Sequence, residues 1–386
     1  MYTRSLNPSE LNSFFLFGAR GTGKTTFLGH SFLAQKQDVL WIDLLNPKEG
    51  AEFARDPSSL LSRLEMRPKG SWVVIDEVQK VPALLDIVHS AIEDKGLLFA
   101  LTGSSSRKLK HGGANLLAGR AFVYNLYPLT HRELGDDFKL NDALSWGTLP
   151  KYYQFTSAQD RIEYLDAYAL TYLREEVIAE QLVRKLQPFR LFLEVAAQAS
   201  GTIVNYSKIA RDIGSDPVSV KSYFEILEDT LLGFHLSPFH ESVRKRQRQA
   251  PKFYFFDVGV KRALERTLDL PVTPQTFSYG VHFEHWLITE IIRLASYQRK
   301  HWAFSYLQTK DGAEIDLIID RPGMPKALIE IKSAERIDPQ APAKLARLAK
   351  DFDKQQSFCL SQDPHEKRIE GVDCLHWSKG IEALGL

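Results

Sequence analysis

One stretch decides how this chain begins to fold. Residues 13–26 read SFFLFGARGTGKTT. Four apolar residues, Phe14 to Phe17, run straight into a glycine-rich turn that fits G-x-x-x-x-G-K-[ST] at Gly18, Gly23, Lys24 and Thr25. A short apolar run of this kind suits a strand buried on both faces of a parallel sheet, so the pattern predicts a strand–loop–helix unit. The glycines let backbone N–H groups curl around phosphates, and the helix N-terminus points its dipole at the same anion. Gly18, Ala19, Arg20, Gly21, Thr22, Gly23, Lys24, Thr25 and Thr26 are therefore the expected nucleotide-binding loop. Lys24 would reach the β- and γ-phosphates, and the Thr25 hydroxyl would hold Mg²⁺.

A second half of such a site follows at WVVIDEVQ, residues 72–79. Four apolar residues again form a buried strand. Asp76 and Glu77 stand at its C-terminal end, where open α/β sheets bind ligands. Asp76 is expected to hold the Mg²⁺ and Glu77 to polarise the attacking water. DVLWIDL (38–44) and LLFALTGSSS (97–106) read as further strands of the same sheet. Ser104, at the end of the latter, suits a sensor of the γ-phosphate, and the serines equally suit capping a following helix. Arg120 comes at a predicted helix–strand junction in NLLAGRAFVYNLYPLT. From there it would reach a neighbouring subunit's nucleotide, as an arginine finger does. The alternative is a surface arginine favoured by the helix macrodipole.

The stretches GARGTGKTT, WVVIDEVQ, LTGSSS, LAGR and NLYPLT resemble the AAA+ ATPases of the bacterial and archaeal "predicted ATPase" type. In that family an AAA domain is fused to a C-terminal domain with a restriction-endonuclease-like fold. The resemblance spans nearly the whole chain. It implies a five-stranded AAA sheet, ATP as ligand, a homo-oligomer such as a hexameric ring, and Arg120 acting in trans. Arg132 and Arg174 are candidates for the lid arginine many such proteins use.

Beyond the loop, residues 128–184 show helical spacing, with Ile162, Leu165, Ala169 and Tyr172 on one stripe. This suits a lid or spacer, and WGTLP (146–150) interrupts it as an expected hinge. NYSKIARDIGSDPVSVKSYFEILEDTLLG then has helix-turn-helix grammar. Asp216 caps a second helix with Pro217 at its first position. Val220, Phe224, Leu227 and Leu231 face the core, while Ser219, Lys221 and Ser222 face away, toward phosphate or base edges. Gly233 is the expected helix end, and a strand follows. The densest basic run, Arg244, Lys245, Arg246 and Arg248, lies where the wing of a winged helix would be. Such clusters bind phosphate backbones; otherwise they are solvated hairpin tips. Asp257 in FYFFDVGV has no role readable from the sequence.

The C-terminal third raises a sharper question. GAEIDLIIDRPGMPKALIEIKS, Gly312 to Ser333, reads as two strands around a Pro-Gly turn. Strand parity puts Glu314, Asp316 and Ile318 on one face of the first strand, and Glu330 and Lys332 on one face of the second. Asp316, Glu330 and Lys332 therefore gather on one side. Carboxylates so placed repel unless a cation joins them, and Mg²⁺ favours oxygen ligands. The pattern resembles the D…E-x-K signature of PD-(D/E)XK nucleases, with Glu284 on the preceding helix as the extra acid of the Holliday-junction-resolvase branch. The resemblance makes Asp316, Glu330 and Lys332 catalytic and Glu284, Asp316 and Glu330 metal ligands. A scaffold that only grips DNA is the alternative. The tail is expected to add a basic helix, KLARLAKDFDKQ, and one strand, QSFCLS.

These readings predict an α/β chain. A P-loop AAA+ domain with a parallel sheet covers 1–130, a helical lid or linker 131–185, a winged helix 186–256 and an α/β restriction-endonuclease-like domain 257–386. The net charge of +1 supplies no global basic field, so any nucleic-acid contact must come from local clusters. Two cysteines exclude a disulfide scaffold and fit a reducing cytosol, and no apolar run reaches membrane-span length. The expected function is ATP hydrolysis coupled to the processing of branched or forked DNA. The alternative is a regulatory NTPase switch of defence or signalling type whose C-terminal domains bind a protein.

Overall fold

The computed structural model describes residues 2–105, 117, 119–172, 186–240 and 250–386. The first sheet contains β1 (Ser13–Phe17), β2 (Leu40–Asp43), β3 (Trp72–Asp76), β4 (Leu98–Gly103) and β5 (Ala121–Asn125), all parallel, in the order β2-β3-β4-β1-β5. Both faces are covered, which is why Phe14, Phe15, Leu16 and Val73–Ile75 are all sealed from solvent. Helix α1 (Lys24–Phe27) leaves the glycine loop and continues as a π-helical turn, Leu28–Phe32. Helices α2 (Pro47–Arg55), α3 (Ser59–Leu64) and α4 (Leu84–Lys95) pack on the sheet. The expected five-stranded parallel sheet is present.

Short helices α5 (His131–Leu134), α6 (Leu140–Trp146) and α7 (Ala158–Ala167) follow. The WGTLP segment is not a free hinge. Gly147, at φ 72°, lies so close to Asp257 that an added Cβ would sit 1.9 Å from its Oδ1. The Asp257 carboxylate accepts from the Thr148 N–H at 2.7 Å and from the Val260 N–H at 3.1 Å, capping α11 (Val258–Leu264). Asp257 thus pins the segment to a buried helix start. One step along, a Cβ on Gly259 would meet the Trp146 carbonyl oxygen at 2.0 Å. Gly259→Ala is therefore expected to lower stability by about 1–3 kcal/mol or more, since a backbone carbonyl cannot step aside as a side chain can. Thermal unfolding checks this against Gly29→Ala, where the added methyl meets only the Trp41 ring at 3.9 Å.

Three helices come next, α8 (Leu186–Gln198), α9 (Tyr206–Asp212) and α10 (Pro217–Asp229), and then an antiparallel pair, β6 (Gly233–Pro238) and β7 (Lys252–Phe255). Asp216 caps α10 through the Val218 and Ser219 N–H groups, as its position predicts. The helix ends earlier than expected. Leu231 takes a left-handed turn at φ 57°, and the Leu232 N–H returns to the Leu227 carbonyl. Leu232 enters the helical core with Val220, Phe224 and Leu227, while Leu231, half-buried, packs against the core of the first sheet.

The second sheet is mixed and runs β12-β13-β11-β10-β9-β8-β6-β7. It is built from β8 (Ala303–Gln308), β9 (Glu314–Asp320), β10 (Lys326–Ile331), β11 (Gln355–Ser361), β12 (Lys367–Ile369) and β13 (Val372–His376), joined at one edge by β6 and β7. Helix α12 (Phe277–Tyr297) packs on one face, and α13 (Gln340–Ala349) on the other. Helix α14 (Trp377–Ala383) closes the chain. The tail holds more than the expected helix and single strand. β12 and β13 are short and polar at half their positions, so they carry no strong apolar signal.

The hydrophobic cores cross segment boundaries. Ala19 of the glycine loop shares one cluster with Leu165, Phe192 and Phe224. Tyr297, at the end of α12, shares another with Phe14 and Phe27. The glycine loop rests on the first of these later units, and the strand and helix that flank it rest on the second. No helix among the described residues is long and apolar enough to cross a membrane.

Candidate functional site: the glycine loop and the acid face

The loop is built for close approach. An added Cβ on Gly18 would sit 2.4 Å from the Leu126 carbonyl oxygen, and Gly21 and Gly23 adopt φ of 80° and 91°, where side chains are strained. Thr22 closes the loop on itself, its hydroxyl donating to the Ala19 carbonyl at 2.8 Å. Lys24 is buried and donates to the Gly18 carbonyl at 2.8 Å, so its ammonium already crosses the loop. Tyr168 holds the loop from outside by donating to the Arg20 carbonyl at 2.7 Å.

Thr25 and Asp76 meet as predicted. The Thr25 hydroxyl donates to Asp76 Oδ2 at 2.7 Å, across 51 positions of sequence. Asp76 is buried, and its other oxygen accepts from the Thr102 hydroxyl. Thr102 also accepts from the Glu77 N–H at 3.1 Å. Glu77 leaves β3 in a left-handed conformation, φ 58°. Its carboxylate is held by Gln79 Nε2 at 2.5 Å, and the same amide nitrogen donates to Ser104 Oγ at 3.2 Å. Glu77 and Ser104 are thus joined through one buried side chain. Thr102 and Gln79 were not singled out from the sequence; each is a polar residue at or just past the end of an apolar strand, which is the signal that could have found them.

Beside the loop lies a cavity of about 820 Å³, lined among others by Tyr2, Thr26, Phe27, Arg132, Asp137 and Tyr153. Of the two lid-arginine candidates, Arg132 lines this cavity and donates to the Leu386 carbonyl, while Arg174 falls outside the described residues. Arg120 pairs with Glu93 of α4 in the same chain.

At the far end, β9 and β10 pair antiparallel with Ile329 opposite Leu317 and Leu328 opposite Ile318. Continued by one residue, that register sets Glu330 across from Asp316, on the shared side that parity predicts. Asp316 Oδ2 accepts from the Ile331 N–H at 2.7 Å, and Lys332 pairs with Glu330 at 2.6 Å. Glu284 comes up from α12, accepting from the Tyr254 hydroxyl at 2.8 Å. Burial, reinforced by the neighbouring Asp316 charge, pushes the Glu284 and Glu330 carboxyls up to about 7. Burial likewise raises Asp316, with Lys332 opposing. The face therefore brings together the four residues expected. Yet among the described residues no three His, Cys, Asp or Glu side chains converge as a metal-holding group. One residue not foreseen stands among them. Lys252 of β7, buried, pairs with Glu314 and lies 3.7 Å from Glu284.

Lys221 is exposed on α10, while Ser219 spends its hydroxyl on Asp216 at 2.6 Å. Arg244, Lys245, Arg246 and Arg248 fall outside the described residues.

Residues 11–135 match the AAA domain. The AAA unit thus holds the glycine loop, the Thr25–Asp76 contact and Glu77. Residues 137–273 match a domain of unknown function (DUF8612), and 279–379 another (DUF4143). An uncharacterized protein of Mycobacterium tuberculosis is 26% identical over 358 residues, covering 90% of this chain and 77% of its own length. An uncharacterized protein of Haemophilus influenzae is 23% identical over 272 residues, covering 64% of this chain and 67% of its own. Among solved structures, the Aeropyrum pernix Orc1 protein in complex with DNA aligns at 13% identity and TM-score 0.27, over 68% of this chain and 87% of that one. AMPPCP-bound DnaA from Aquifex aeolicus aligns at 13% and TM-score 0.28, over 56% and 82%. Likenesses at that level carry no argument about this chain.

Proposed function

We propose that this chain binds Mg–ATP on the loop from Gly18 to Thr26 and hydrolyses it, with Glu77 as general base. The observation that carries this is the Thr25–Asp76 contact at 2.7 Å, two hard oxygen groups set at the mouth of the loop and backed by Glu77. Thr25 and Asp76 fit a magnesium ion, whose charge would draw the phosphate oxygens together. Lys24 neutralises the transferred group, Ser104 reports its presence to Glu77 through Gln79, and the adjacent cavity takes the nucleoside. Arg120 acts on a neighbouring subunit's nucleotide in a homo-oligomer, a ring of six by family resemblance, and would have to leave Glu93 to do so. Arg120→Ala is expected to lose turnover while still binding ATP, and mixing it with a Lys24→Ala protein should restore part of it. Phosphate release from the mixture measures this, and no recovery would place Arg120 outside the catalytic step.

The work of hydrolysis is directed at DNA, branched or forked, in this reading. Support comes from the order of α8, α9, α10 and the β6–β7 hairpin, which suits a winged helix presenting Lys221, and from the basic sequence at 244–248. The succession α12, β8, β9, β10, α13, β11 suits a restriction-endonuclease-like unit. The deciding experiment is the ATPase rate with duplex, single-stranded and forked DNA over a salt series. Stimulation and salt-sensitive binding support the reading. Absence of both favours a nucleotide-controlled switch acting on a protein, for which the buried ties between the AAA unit and α12 are the structural support.

A further inference from the structure

The acid face of the second sheet already contains its cations. Each carboxylate has a protein partner of its own: Glu330 has Lys332 at 2.6 Å, Asp316 has the Ile331 N–H at 2.7 Å, and Glu284 has the Tyr254 hydroxyl at 2.8 Å. Glu314 pairs with Lys252, whose ammonium also faces Glu284 at 3.7 Å and stands 5.3 Å from the centre of the Tyr306 ring. Lys252 is 4% exposed. Its backbone is paired on both sides, to Leu236 in β6 and through a bridge to Ile203. This lysine is therefore no surface chain that swings into water. It comes from a strand with two different faces: Phe253 and Phe255 enter the helical core, while Lys252 and Tyr254 turn to the acids.

A divalent ion bound by Glu284 and Asp316 would have to lie within a few ångströms of the Lys252 ammonium. Two cations that close repel strongly in a buried setting, and the octahedral shell Mg²⁺ demands leaves little room for a resident ammonium. We propose that Lys252 is the built-in counter-cation of this face, occupying the ground between Glu284 and Glu314 so that the acids clasp the β6–β7 hairpin to the sheet rather than bind a divalent metal. The acids then serve as a joint: they fix how the three-helix unit sits on the second sheet. This inference is independent of ATP hydrolysis at the glycine loop.

The test uses the full chain without nucleotide and counts bound Mn²⁺ from the loss of the free-ion electron paramagnetic resonance signal. Wild type and Asp316→Asn are expected to bind the same number of ions, so that any Mn²⁺ at Thr25 and Asp76 cancels between them. Lys252→Met should take up one further equivalent, and Lys252→Met with Asp316→Asn should lose it. Wild type binding one ion more than Asp316→Asn would overturn the proposal. So would a folded Lys252→Met that gains none. Should Lys252→Met not fold, the comparison of wild type with Asp316→Asn decides alone.

Discussion

Glu77→Gln should leave ATP binding intact and lower turnover by about two to four orders of magnitude, the range in which a positioned general base contributes. The substitution keeps the size of the side chain and its capacity to accept a hydrogen bond from Gln79, which now lies at 2.5 Å. What it removes is the ability to take a proton from water. The phosphate-binding groups are untouched, since Lys24 crosses the loop to the Gly18 carbonyl and Thr25 bonds to Asp76, neither of them touching Glu77. Lys24→Ala should show the opposite division, with affinity falling first. Nucleotide binding and phosphate release measured on the same preparations separate the two. Normal turnover in Glu77→Gln would remove Glu77 from the role of base.

The loop was readable from the sequence because its chemistry is local: the glycines, Lys24 and Thr25 lie within eight positions, and backbone conformation does most of the work. Parity carried the reading further, since the alternation of β9 and β10 is enough to set Asp316 and Glu330 on one side, and the register then places them opposite each other. It failed on β7. Lys-Phe-Tyr-Phe looks like the start of a uniformly apolar strand, but its odd and even positions face two different units, and only the second shows why a lysine is buried there. Asp257 was unreadable for a related reason. Its partner, Thr148, lies 109 positions away in a segment whose own pattern suggested a hinge. Arg4 gave no signal at all, being a single arginine in a polar stretch with no periodic neighbour. Long-range partners of this kind are fixed by tertiary packing, and no local pattern encodes them.

Arg4 nevertheless supports the second large prediction. Its guanidinium donates to Glu133 Oε1 at 3.0 Å, to the Thr22 carbonyl at 2.8 Å, to the Tyr127 carbonyl at 2.5 Å and to the Tyr297 hydroxyl at 3.0 Å. One buried side chain thus ties the glycine loop to the exit of β5 and to the last turn of α12. Thirteen positions earlier, about 20 Å along the same helix at its usual rise, stands Glu284. Between them the helix is held to the start of α5 by Glu290, which accepts from the His131 N–H at 2.7 Å, and to the segment after α6 by Arg293, which donates to the Thr148 hydroxyl at 3.0 Å. Arg4→Met would strand the fully buried Glu133 carboxylate without its cation, and removing one partner of a buried pair costs about 3–5 kcal/mol. Adding Glu133→Gln should recover part of that loss, because the uncompensated charge is then gone. Tyr297→Phe, which leaves the Arg4 and Tyr127 donors without their shared hydroxyl, should cost about 1–3 kcal/mol. Stability alone would not show that the tie transmits anything. Hydrogen exchange in residues 277–297 does: nucleotide should slow it in the wild type and in Tyr297→Phe less so, and in Arg4→Met with Glu133→Gln the response should vanish while ATP still binds. Equal responses in all three would mean that α12 reads the nucleotide by another route, or does not read it.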